Sequence, residues 1–292
     1  MLRPLLLPFL SLSIGFALLA RPALAADNAL REQITGLFQQ RQWAEAQALL
    51  EKVTTDEPTN AEAWNSLGQT FLARGDYEKA IPPLEKATQL QPAKGDYFLQ
   101  LGNAYGMGAA KAGLLSKIGL AKKCKAAFDQ AVELDPSNIN AHWSVMEYCR
   151  QAPGFMGGGM DGAYAQAEAI KKLDPRRGRS AYASLYLADK KYPEAFALYD
   201  EVLREKPDDA DALYNIGRLA ALSGDQLDRG LAALRTLLTL SGGNNARTQL
   251  RIGNILEKKG DLPGAKAAYE AALGLDPHLT AAAESLRKLG QN

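Results

Sequence analysis

Histidine and cysteine are scarce in this 292-residue chain, with two of each. No Cys-x-x-Cys occurs, and no helical stretch carries a His or Cys pair four residues apart, so neither a zinc site nor another metal centre is expected. His142 and Cys149 stand seven residues apart, about 10 Å along a helix, too far for a nucleophile and its base. The carboxylates are scattered over solvent-facing helix positions, and no acid/base couple is legible among them. Charge of one sign is lacking as well, since 34 Lys and Arg face 33 Asp and Glu. Attraction to nucleic acid is therefore not expected. Neither an enzyme nor a cofactor binder is indicated.

Long apolar runs are missing except at the start. "MLRPLLLPFLSLSIGFALLARPALA" has a cation at Arg3, an apolar stretch from Leu5 to Ala20, and small residues at Ala23 and Ala25. This reads as a secretory signal peptide over residues 1–25, and Pro4, Pro8 and Pro22 argue against a permanent anchor. The first cysteine is Cys124, so a lipoprotein anchor at the cleavage point is not supported. Export places Cys124 and Cys149 where a disulfide persists, but sequence alone cannot pair them. The alternative is two small residues buried at helix contacts.

What the chain does have is a repeat. Pro58, Pro92, Pro136, Pro175, Pro207 and Pro277 each close a helical pattern, at separations of 34, 44, 39, 32 and 70 residues. That is one period of 34 with insertions, a small deletion and one lost proline. In "AEAWNSLGQTFLARGDYEKAIPPLEKATQLQP", Trp64, Leu67, Gly68 and Phe71 share a face of the first helix. "RGDY" turns the chain, and Ala80, Leu84 and Ala87 face back from the second helix. The last unit repeats the pattern with Ile252, Gly253, Gly260, Ala265, Tyr269, Ala272 and Pro277.

These slots resemble the tetratricopeptide signature, and the resemblance implies an all-α, right-handed α-solenoid of about seven helix-turn-helix units over residues 26–277. The stretch 278–292, with an apolar stripe at Leu279, Ala282, Ala283 and Leu286, reads as a capping helix and tail.

Two units exceed the period, near residues 106–118 and 153–162. The first insertion and the helix that follows it carry Lys111, Lys117, Lys122, Lys123 and Lys125, in a span with no acid between Asp96 and Asp129. It reads as a solvated face, or else as the contact of a membrane-surface adaptor. The second, "PGFMGGGMDG", contains Gly157, Gly159 and Gly162 at dinucleotide-loop spacing. No strand feeds it and no Gly-Lys-Ser/Thr follows, so it reads as an enlarged turn between helices.

The resemblance further implies a concave face, lined by the first helix of each unit, that binds peptide or protein partners. The slots there are Asn65, Gln69, Asn103, Trp143, Arg150, Tyr214, Asn215, Arg218, Arg247, Arg251 and Asn254. Asn215, Arg247 and Arg251 match part of the carboxylate grip of tetratricopeptide co-chaperones, whereas Ser180 and Ser184 replace its first-unit Lys and Asn. The expected product is a non-catalytic scaffold or chaperone-like adaptor, periplasmic or secreted.

Overall fold

A computed structural model describes residues 20–290, with side chains from residue 28 onward except that of Leu114. The leader expected over residues 1–25 lies outside the described residues up to residue 19, and a helix already begins at Ala20. All regular structure among the described residues is helical. The chain is an α-solenoid by class, and it divides into two compact units, residues 1–141 and 142–292.

The first unit holds α1 (Ala20–Gln39), α2 (Trp43–Asp56), α3 (Ala61–Ala73), α4 (Tyr77–Leu90), α5 (Gly95–Lys111), α6 (Leu114–Leu134) and the start of α7 (Ile139–Gln151). The second continues α7 and adds α8 (Met160–Leu173), α9 (Pro175–Ala188), α10 (Tyr192–Glu205), α11 (Ala210–Ser223) and α12 (Leu227–Leu240). It ends with α13 (Ala246–Lys258), α14 (Leu262–Leu275) and α15 (Thr280–Leu289).

The pairs close because a first-helix glycine meets a large side chain of the second helix. Gly68 lies against Leu84, Gly102 against Phe128, Gly217 against Leu234 and Gly253 against Tyr269; a Cβ at any of these glycines would overlap that side chain. Tyr269 is completely buried, and its hydroxyl has two acceptors in reach, Glu257 Oε2 at 2.7 Å and Asn254 Oδ1 at 2.9 Å. A buried phenol satisfied in this way holds a pair together without a polar penalty.

Side-chain caps fix several first-helix starts. Asn60, Asp209 and Asn245 each accept a backbone N–H three residues on, at 3.0 Å. Each such cap stabilises its helix by about 1 kcal/mol. The Ala212 N–H holds the Asp209 carboxyl below the ordinary Asp range. That contribution is present above the ordinary Asp pKa and fades as pH falls through the lowered folded value.

The short inter-helix turns use the left-handed region: Gly75 at φ 77°, Gly224 at 83° together with Gln226 at 51°, and Gly260 at 81°, but Arg41 and Lys190 at 56°. Where the sixth pair lacks its closing proline, Gly242 and Gly243 at φ 64° and 83° turn the chain instead. At the C-terminus, Ala282 of α15 is buried and Leu279, Leu286 and Leu289 pack on the second unit's core. Ala283, expected in that apolar stripe, is exposed and Leu289 takes its part.

Candidate functional site

Within the second unit the first helices α7, α9 and α11 border a groove of about 500 Å³. Its polar lining is Arg150 from α7, Ser180 and Ser184 from α9, Asn215 and Arg218 from α11, and Tyr199 from α10. These side chains meet because a spacing of three or four residues keeps them on one helix face.

The groove is cationic with internal restraint. Arg150 donates to Glu147 Oε2 through Nε at 3.0 Å and through a terminal nitrogen at 2.5 Å. Arg218 Nε donates to Asn215 Oδ1 at 3.1 Å, while Asn215 Nδ2 donates to the Asp211 carbonyl at 2.8 Å. The Arg218 guanidinium is thus oriented by Asn215 and also hydrogen-bonds the Tyr199 hydroxyl, and its remaining N–H groups stay as donors. Burial pushes the Tyr199 phenol above its ordinary value, although Arg218 beside it acts the other way. The Ser180 hydroxyl donates to the Arg176 carbonyl at 3.3 Å. Guanidinium and hydroxyl donors beside apolar Leu187 suit an extended peptide, whose carbonyls and carboxylates need donors.

Of the sequence-expected residues, Arg150, Asn215 and Arg218 come together here with Ser180 and Ser184. Trp143 and Tyr214 are partly buried on α7 and α11 without lining the groove. Arg247 is exposed on α13 and Arg251 is partly buried one turn on. Arg251 Nε is buried and has no hydrogen-bond partner among the described residues. Asn254 Oδ1 lies 2.9 Å from the Tyr269 hydroxyl. Gln69 and Asn103 are partly buried in the first unit, where Asn103 Nδ2 stands 3.4 Å from Gln100 Oε1.

Two expectations need correction. Asn65 is only 7% exposed, because α3 packs beside α5 as well as on α4, so a partner cannot reach it. Cys124 and Cys149 are thiols and not a disulfide. Each fills a close helix approach within its own pair, Cys124 beside Gly106 and Cys149 beside Gly162. Burial pushes the Cys124 thiol up to about 12, which makes it a poor nucleophile at neutral pH.

Sequence reasoning missed two features. Tyr199 lies on α10, a second helix, whereas the resemblance lines the binding face with first helices alone. Tyr164, Tyr182 and Tyr186 form a ring cluster with centroids 5.7–6.1 Å apart, and only the shared helical spacing of Tyr182 and Tyr186 hinted at it.

A stack of helix pairs presenting a donor-rich groove defines a helical-repeat binding protein. Tetratricopeptide-repeat family models match residues 31–103, 162–210 and 181–245, and 109–138 and 246–279. The chain belongs to the tetratricopeptide repeat family. It is similar to a tetratricopeptide repeat protein of Parabacteroides merdae, with TM-score 0.61 at 16% identity, over 91% of this chain and 98% of that one. It also resembles yeast Tom70, with TM-score 0.60 at 16% identity, over 85% of this chain and 51% of that one. At these identities the likeness is one of fold. Over 119 residues it is 33% identical to the cellulose synthase operon protein C of Pseudomonas fluorescens (strain SBW25). That match takes in 39% of this chain and only 9% of the relative's length.

Proposed function

We propose that the chain is a non-catalytic adaptor that holds an extended segment of a partner protein in the α7/α9/α11 groove. The observation that carries this reading is the meeting of Arg150, Ser180, Ser184, Asn215 and Arg218 from three successive first helices around one groove. Arg218 and Ser184 donate to carbonyls or a carboxylate of the segment, and Leu187 takes an apolar side chain. Arg247 and Arg251 of α13, with Tyr214 and Asn254, extend the contact for longer segments. Trp143 does the same from α7, and Gln69 and Asn103 serve the first unit.

We further infer that the protein works after export, in a periplasm or outside the cell. The leader pattern around Arg3, Ala23 and Ala25 supports this. Residues 26–277 then form the binding solenoid and residues 278–292 its cap and tail. Mass measurement of the protein recovered from the cell envelope tests the leader, with Ala26 expected as the first residue.

The groove is tested by selecting random peptides on the wild-type protein and titrating the winners against variants. Arg218→Ala is expected to weaken binding by about 2 kcal/mol, and Ser184→Trp to block it by filling the groove. Unchanged affinity in both variants contradicts the assignment.

A further inference from the structure

The third helix pair carries a surface that peptide binding does not use. Its helices have 17 and 21 residues, against 13 and 14 in the second pair. Gly102 against Phe128 repeats Gly68 against Leu84, which puts Leu120 in the place of Asp76, the residue before α4. Residues 114–120 of α6 are therefore about two helical turns that the second pair lacks. The insertion is a helical projection rather than a loop. At its base the Lys111 ammonium donates to the Gly75 carbonyl at 3.1 Å and lies 5.4 Å from the Tyr77 ring centroid.

The cations divide into two groups. Lys123 is engaged by Glu85 at 3.8 Å and by the Tyr105 ring, and Lys125 by Asp129 at 2.6 Å. Lys117 and Lys122 are exposed and make no ion pair among the described residues. No acid lies between Asp96 and Asp129 to offset them. At the apex, Leu115 is 87% exposed. Gly113 precedes α6 and offers no side-chain cap.

We propose that this tip docks on an anionic lipid bilayer. Leu115 enters the boundary between headgroups and acyl chains, while Lys117 and Lys122 reach the phosphates with their stems lying along the surface. A bilayer fits better than an acidic peptide because the tip is a helical end without a groove. A lipid surface supplies negative charge over an area and an apolar layer just beneath it.

The test uses the purified full chain with Leu115→Cys carrying a polarity-sensitive fluorophore; Cys124 and Cys149, at 3% and 5% exposure, are shielded from labelling. Vesicles of equimolar phosphatidylglycerol and phosphatidylcholine are expected to shift the emission to the blue, and pure phosphatidylcholine vesicles are not. Each lysine near an anionic surface contributes about fivefold in binding, so Lys117→Gln with Lys122→Gln is expected to weaken it roughly 25-fold. No shift with anionic vesicles overturns the proposal. So does an equal shift in the glutamine variant, which would put attachment elsewhere in the chain. A shift caused by poly-glutamate but not by anionic vesicles also overturns it, making the tip a site for acidic peptides.

Discussion

The third and fourth helix pairs both exceed the repeat length, and they spend the extra residues in opposite ways. The third lengthens its helices, so the added residues satisfy their own backbone and ask little of their neighbours. Leu115 stands in solvent there, and no Cβ clash surrounds Gly113 or Gly119. The fourth folds its extra residues into a tight turn around Gly154–Met156. There the Tyr148 hydroxyl donates to the Met156 carbonyl at 2.9 Å and the Gly159 N–H to the Cys149 carbonyl at 2.7 Å. Gly157 and Gly159 sit at φ 79° and 140°, and a Cβ on Gly158 would overlap the Ala152 carbonyl. An insertion built of helix tolerates substitution, whereas one built of turn depends on particular residues. The fourth pair's turn also presents Phe155, 77% exposed, on a fixed backbone.

Substitution separates the two designs most sharply at Gly158. Gly158→Ala is expected to cost about 3 kcal/mol, since backbone and not a movable side chain stands in the way. Gly119→Ala in α6 is expected to stabilise by up to about 1 kcal/mol, because a helical glycine with open space gains from a methyl. Denaturant midpoints of the two variants decide the matter, and similar shifts in both would erase the distinction. Tyr148→Phe removes one hydrogen bond from the turn and is expected to cost about 1 kcal/mol. Leu115→Ser, at the helical tip, is expected to fall within about 0.5 kcal/mol of wild type. The short turns give a smaller reference effect. Lys190→Gly relieves a left-handed non-glycine residue and is expected to stabilise by about 0.5 kcal/mol, read from the thermal midpoint.

Much of the fold was legible because the repeat places the same demand on every pair. Proline closes a second helix, a small residue sits where backbones approach, and an apolar stripe recurs at helical spacing. The observed helix pairs and Gly68, Gly102, Gly217 and Gly253 at their contacts answer those demands. Departures from the period were legible as lengths but not as shapes. Nothing in "GMGAAKAGLLSKIGLAKK" distinguishes an added loop from added helix until Gly102 and Phe128 fix the register. The groove was legible at Arg150, Asn215 and Arg218, which occupy first-helix slots of the repeat. Burial of Asn65 and entry of Tyr199 into the groove depend on how α3 meets α5 and α10 meets α11. Those are contacts between pairs, on which a period of 34 is silent.

The groove assignment is tested most directly by a compact aliphatic diazirine amino acid, smaller than the tryptophan that fills the groove, placed at Ser184, inside it, and at Glu201, exposed on α10, in cells that make the protein. The expected result is a partner crosslinked from position 184 through a short extended segment, absent from position 201 and lost on Arg218→Ala. Crosslinking that is equal at both positions, or that survives Arg218→Ala undiminished, would contradict the account.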